Sequence, residues 1–424
     1  MMAQSKLKNG ARLITVPSSG TKAVTLLILF PVGSRYEQPD ISGVSHFVEH
    51  LMFKGTTNRP TALDISRELD AAGAEFNAFT SKDYTGYYVK IEQAQKEKAF
   101  DLLSDMLYNS LFDAAEIEKE KGVIVEELRM YEDNPIMAVD MMFDRAVFGD
   151  AHPLGWDIGG SVKTVRGVTR EKIFKYYQSH YAPERMIVVA AGAVNSQEAK
   201  KLAARYFADK FPGRLAPSGF KKFAWPKKLA LAKRVLTQTR KIDQAQVMIG
   251  FPGLSYTAPE RYTLAVLSNI LGGGMSSRLF TEIREKRGLA YMIRTSAAAY
   301  HETGVMVIQA GLNPAKLSEA FKAIKNELRK ICAKPVADKE LREAKSNLHG
   351  RVTLAMEDSS AQADWYGKRL LFHQPLETPE ESLRHLKAVT VKDVQALAKK
   401  IFKENELRAA VISPLQRSAV LKLI

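Results

Sequence analysis

His46-Phe47-Val48-Glu49-His50 sets two imidazoles four residues apart with a carboxylate between them. On a helix, positions i and i+4 share a face, so both rings reach one metal ion. Glu49, three residues after His46, points the same way without being needed as a ligand. Two histidines and a nearby carboxylate are the donor set that zinc takes in hydrolases. Such a pentapeptide also arises by chance, and a lone helical histidine is more often packed than ligating, so the neighbourhood has to decide. Ile41-Ser42-Gly43 reads as a loop-to-helix start, and Leu51-Met52-Phe53 continues the apolar stripe. Lys54-Gly55-Thr56-Thr57-Asn58-Arg59-Pro60 carries the glycine and proline of a helix stop. The motif therefore lies on a mostly buried helix, where an unpaired carboxylate is costly.

The elements that hold this helix belong to a chain of 424 residues, long for one domain and suited to two of about 200. Its 46% hydrophobic and 26% charged residues are globular values. No segment approaches the ~18 apolar residues of a membrane span. The apolar run 23–32 contains Pro31 and is flanked by strand and turn signals, so it is no signal-peptide core. Cys332, the single cysteine, cannot form an internal disulfide, which fits a reducing compartment; a cytoplasmic protein is expected. The net charge of +15 is spread along the chain, densest at Lys200-Lys201, Lys221-Lys222, Lys227-Lys228 and Lys399-Lys400. No stretch resembles the aromatic-basic pattern of a base-stacking platform, so the charge reads as a solvated surface and a basic linker. Neither nucleic acid nor a membrane is an expected partner.

The sequence also repeats itself at an offset of 221 residues. Phe30-Pro31 falls on Phe251-Pro252, Ala99-Phe100 on Ala320-Phe321, His152 on His373, and Val168-Thr169 on Val389-Thr390. Each half opens with apolar strands (11–32; 235–251), continues through a helical stretch and a strand pair (75–91; 290–312), then long amphipathic helices (92–130; 313–356). Each closes with a helix after Val-Thr and a final strand (186–192; 407–412). This order predicts an α+β fold, two homologous domains each made of a mainly antiparallel sheet with helices on one face. The expected division is 1–212 for the domain with the motif, 213–230 for a turn-rich basic linker, and 231–424 for the domain without it.

The repeat weighs individual residues. The positions equivalent to His46, Glu49 and His50 are Leu267, Ile270 and Leu271, so the fold itself does not demand His-Glu-His there. Zinc needs a third protein donor. His152 is possible, but its counterpart His373 stands in the half without the motif, so a structural role explains it better. The acidic stretch 115–130 offers Glu116, Glu118, Glu120, Glu126 and Glu127 beside an apolar stripe of Ile117, Val123, Ile124 and Leu128. Glu120 and Glu127 are two turns apart, and their equivalents, Leu341 and Leu348, are apolar and inward. Glu126 maps to Asn347, a solvated position. The internal comparison selects Glu127 and Glu120.

With these residues in place the chain resembles the inverzincin family of pitrilysin, insulin-degrading enzyme and mitochondrial processing peptidase. It is most similar to short bacterial relatives of the processing-peptidase beta subunit, over nearly its whole length. The family pattern is H-x-x-E-H, then a Glu about 77 residues on with another Glu seven before it; Glu127 and Glu120 stand at those places. The resemblance implies that His46, His50 and Glu127 bind one Zn²⁺, that Glu49 is the general base, and that Glu120 supports the site. It implies that Phe76, Asn77, Ala78 and Phe79, followed by Thr80, form an edge strand that holds substrate backbone. In the second half it implies that Arg284 and Tyr291 reach the substrate near the metal, and that Gly272-Gly273-Gly274 is the family's glycine-rich loop rather than a phosphate cradle. The implied activity is zinc-dependent endopeptidase cleavage of peptides or unfolded segments. Family members enclose a chamber with four such domains, so a homodimer, or a heterodimer with an inactive sister chain, is implied. The alternative is a non-catalytic structural subunit of the same family.

Overall fold

Apolar strands with few charges assemble into two sheets in the computed structural model, which describes residues 2–208, 219–226 and 229–424. The first sheet contains β1 (Ala3–Lys6), β2 (Arg12–Pro17), β3 (Ala23–Phe30), β4 (Glu75–Thr80), β5 (Thr85–Glu92) and β6 (Ile187–Gly192), in the order β1-β2-β6-β3-β5-β4. The second contains β7 (Val235–Thr239), β8 (Ala245–Pro252), β9 (Ala290–Ala299), β10 (Gly304–Leu312) and β11 (Arg408–Ser413), in the order β7-β11-β8-β10-β9. Without β1 the two orders are the same. Each sheet has one parallel pair, β2 with β6 and β7 with β11, and is otherwise antiparallel. The α+β class and the duplication expected from the sequence are both present. Of the expected linker, residues 213–218 and Lys227-Lys228 lie outside the described residues.

The helices near the motif are α1 (Val44–Leu51), α2 (Ala62–Ala71), α3 (Lys96–Asn109), α4 (Ala114–Asp133) and α5 (Pro135–Phe148). Spatial contacts gather the chain into two units that exchange segments. One is Met1–Arg129, Trp156–Lys221 and Thr353–Leu376; the other is Met130–Gly155, Lys222–Val352 and Glu377–Ile424. The contiguous division at 1–212 and 231–424 follows the repeat, whereas the packing crosses it. In the first unit the helix Ser359–Leu371 lies on β3 and β6, and Ser359 Oγ meets Thr25 Oγ1 at 2.8 Å. In the second, α5 lies on β8 and β11, its Val139, Phe143 and Val147 sharing a cluster with Met248, Ala410 and Ile412.

Helices were expected on one face of each sheet, and the exchanged helices cover the other. This explains why β3, read as Ala-Val-Thr-Leu-Leu-Ile-Leu-Phe, is buried at nearly every position instead of at alternate ones. Leu26, Ile28 and Phe30 join the main core of the first unit, while Leu27 and Leu29 line the side on which Gly367 of the exchanged helix comes close.

The turn between β4 and β5 is pinned from behind. Arg35 and Asp83, both almost fully buried, pair at 2.6 Å. The backbone N–H groups of Ser34 and Arg35 donate to the carbonyls of Ser81 and Lys82, and the Arg35 guanidinium stacks 3.9 Å from the centre of the Phe220 ring. Removing one member of such a pair strands a buried charge. Asp83→Asn is therefore expected to cost about 3–5 kcal/mol, read as a lowered urea midpoint; an unchanged midpoint contradicts this role for the pair.

Candidate metal centre

The α1 helix starts where Gly43 takes φ 96°, a conformation that strains any residue with a side chain. A Cβ there would also sit 2.5 Å from the Gly159 carbonyl oxygen. One face of α1 buries Val44, Phe47, Val48 and Leu51 in the core, which turns His46, Glu49 and His50 toward the other side. The α4 helix buries Ile117, Ile124, Val125 and Leu128, which directs Glu120 and Glu127 toward α1. Val123, expected in that apolar stripe, is instead 51% exposed. It lies four residues before Glu127, on the helix face that stays open beside the donors. Glu126 is exposed and pairs with Arg129 at 2.6 Å, as a solvated position should.

Three donor atoms converge. His46 Nε2 and His50 Nε2 are 3.1 Å apart, and Glu127 Oε2 lies 3.7 Å from the first and 3.6 Å from the second. Ligands about 2.0–2.2 Å from a tetrahedral zinc stand roughly 3.3–3.6 Å from one another, so the triangle has the right size. Among the described residues it is the one group of three or more His, Cys, Asp or Glu side chains close enough to hold a metal ion.

The surroundings set the charge states. Glu120 Oε1 lies 2.7 Å from His50 Nδ1, and its Oε2 lies 2.7 Å from Lys54 Nζ. Burial alone raises a carboxyl, but the bonds from His50 and Lys54 outweigh it and hold Glu120 below its usual range. An ionised carboxylate only accepts, so Nδ1 of His50 donates to Glu120 and Nε2 is the ring nitrogen turned to the triangle. Burial, reinforced by the neighbouring His50, pushes His46 down to about 4. A neutral His46 is a ligand form. Two imidazoles and a carboxylate aimed at one point suit a cation there, and the donor set suits zinc.

Glu49 stands beside the triangle. Burial raises its carboxyl above the usual range, and Thr80 Oγ1, at the end of β4, donates a hydrogen bond to Oε2 that opposes the shift. A carboxylate raised above its ordinary range is a better proton acceptor than an ordinary one. Thr80 ended the predicted edge strand, and its link to Glu49 is visible only in three dimensions. The link to Lys54 was also missed, although Lys54 follows His50 by one helical turn.

The strand β4 is the outer strand of its sheet, paired with β5 alone from Glu75↔Lys90 to Thr80↔Thr85. Phe76, Asn77, Ala78 and Phe79 lie on it, and Asn77 Oδ1 accepts the Ala78 N–H at 2.9 Å. Arg284 and Tyr291 belong to the second unit. Arg284 Nη1 donates to the Tyr291 carbonyl at 2.6 Å, its guanidinium stands 5.2 Å from the Tyr291 ring centre, and the Tyr291 side chain is exposed. His152 lies in the second unit, where its Nδ1 accepts the Leu154 N–H, in line with a structural role.

Fold and cluster define a class of protein: a duplicated α+β chain in which one copy carries a His-His-Glu triangle and the other has apolar residues in its place. The Insulinase (Peptidase family M16) model matches residues 12–154, and the Peptidase M16 inactive domain model matches residues 167–348. An uncharacterized zinc protease of Streptomyces coelicolor is 36% identical over 97% of this chain and 90% of its own length. One of Bacillus subtilis is 33% identical over 98% of each chain. The crystal structure of a protease from Helicobacter pylori superposes with a TM-score of 0.91 at 27% identity, covering 98% of this chain and 99% of that one. The chain belongs to peptidase family M16.

Glu120→Ala removes the acceptor that orients His50. Losses of this kind cost about 10–100-fold in metal affinity, and a drop of that size is expected in zinc titration against a competing chelator. Affinity equal to that of the unaltered protein would leave Glu120 without this role.

Proposed function

We propose that this protein is a zinc-dependent endopeptidase acting on peptides or unfolded segments. The observation that carries this reading is the triangle of His46, His50 and Glu127 with Glu49 at its side. One zinc ion per chain would be held by His46, His50 and Glu127, and when bound it supplies Lewis-acid activation of a water molecule and of the scissile carbonyl. Glu49 takes the proton from the attacking water on its carboxylate and delivers it to the leaving amine. Thr80 holds the second oxygen of Glu49, which keeps the carboxylate oriented. Glu120 and Lys54 fix the His50 ring and its tautomer.

The free side of β4 would bind an extended peptide by strand addition, with Phe76 to Phe79 giving main-chain contacts. The incoming strand would replace the Asn77 amide as partner of the Ala78 N–H. Arg284 and Tyr291 are assigned to the substrate or its developing oxyanion, as donors of a cationic and a phenolic group. The expected dimer, with two chains of two domains each enclosing a chamber, remains part of this proposal. Among the described residues no helix is long and apolar enough to cross a membrane.

A non-catalytic subunit is the second reading, favoured by the match of residues 167–348 to a domain described as inactive. That match covers the half in which Leu267, Ile270 and Leu271 replace the motif. The first half retains every donor and the base, which favours catalysis.

Glu49→Gln preserves size and the metal donors but cannot accept the water's proton. Zinc content is expected to stay near that of the unaltered chain, while cleavage of an unfolded peptide falls by about 10²–10⁴-fold, the contribution of general-base catalysis. Cleavage products are followed by mass spectrometry, with a chelator-treated control. Full activity of this variant would exclude the mechanism.

A further inference from the structure

Several helices among the described residues start on a Ser, Thr, Asn or Asp whose own side chain accepts the first backbone N–H groups. Thr61, Asn134, Thr169 and Asn195 are examples. The helix of the metal centre does not: its cap position is Gly43, with no side chain to offer. The acceptor comes from outside. Glu37, six residues upstream, receives the Gly43 N–H on Oε2 at 2.7 Å and the Ser45 N–H on Oε1 at 2.8 Å. The Ser45 hydroxyl in turn meets Tyr176 OH at 2.7 Å. Glu37 is only 3% exposed, and Ser45 is fully buried. Gly43 cannot be exchanged for an ordinary cap residue, because its left-handed backbone packs against Gly159 and Gly160.

We propose that Glu37 is a positioning residue for the metal centre: its ionised carboxylate caps α1 in place of a local residue and fixes the angle at which His46 and His50 leave the helix. This rests on the metal-centre reading above. The two bonds bracket the start of the helix, and Ser45 is the residue immediately before His46. A shift there moves both rings, whereas Glu127 is held independently on α4. Two N–H donors on two separate oxygens match an ionised carboxylate, which accepts at both. The positive end of the helix dipole favours the same form. Burial opposes it and raises the Glu37 carboxyl to about 7, against the Ser45 and Gly43 bonds and the nearby Lys82; the Tyr176 and Tyr181 hydroxyls face it as well. The carboxyl is thus raised from its unfolded value, so its ionised form grows in as pH rises through about 7.

The test compares zinc affinity of the full chain and its Glu37→Gln variant by chelator competition at pH 8 and pH 6, with thermal unfolding of the metal-free proteins measured in parallel. Gln has one acceptor oxygen, so one of the two N–H groups loses its partner. The variant is expected to bind zinc about tenfold more weakly at pH 8. The gap is expected to shrink at pH 6, where Glu37 itself is largely neutral. Glu37→Ala, which removes both acceptors, is expected to bind more weakly still; if it does not fold, the Gln variant alone decides. Equal zinc affinity at pH 8 overturns the proposal even if the variant melts lower, since that pattern is purely structural. A deficit of the same size at both pH values also overturns it. Failure of the unaltered chain to bind zinc removes the metal-centre reading and this inference with it, an outcome distinct from a tight unaltered chain with an unaffected variant.

Discussion

The approach of two imidazoles on α1 to two carboxylates on α4 is the contact on which the candidate metal centre depends. Three donor atoms within 3.1–3.7 Å of one another would repel or need a proton between them unless a cation lies among them. The rest of the neighbourhood holds that arrangement in place. Lys54 and His50 keep Glu120 ionised despite its burial. Both helices bury their opposite faces in one core cluster, so neither can turn without exposing apolar side chains.

The second half shows what the same fold does without that contact. Its helix Arg261–Gly272 buries Leu267, Ile270 and Leu271, and the facing helix Asp338–Ala355 buries Leu341. Apolar packing therefore suffices at these positions, and the charged set in the first half is maintained against the cost of placing polar groups in a partly buried region. Duplication also accounts for the matching strand orders. The exchanged helices, α5 and Ser359–Leu371, bind the two halves of the sequence into units that neither half forms from its own segments alone.

Much of the fold and the site was legible from the residues. Strand-like runs and the Val-Thr helix starts placed most elements, and Thr169 and Thr390 do cap the helices that follow them. Glu127 and Glu120 were distinguishable from Glu126 because an internal copy revealed which positions face inward. Val123 was misjudged because helical period alone places it near the apolar stripe, while the width of the buried face is set by what packs on it. The second covered face of each sheet could have been suspected from the unbroken apolar run of β3. Which helix covers it could not, since Ser359–Leu371 comes from the far half of the chain.

The sequence by itself determined the donor types, their helical spacing, the duplication and the asymmetry between the copies, because these are periodic or local properties that residue order records directly. Only the tertiary structure decided that Thr80 reaches Glu49, that Lys54 shares Glu120 with His50, and that Glu37 caps the helix of His46-Phe47-Val48-Glu49-His50. Those partners are joined by side chains whose reach is a few ångströms, and folding, not spacing along the chain, brings them within it. The same holds for the pentapeptide itself: four residues of spacing make two ligands possible, and the packing of α4 against α1 supplies the third donor.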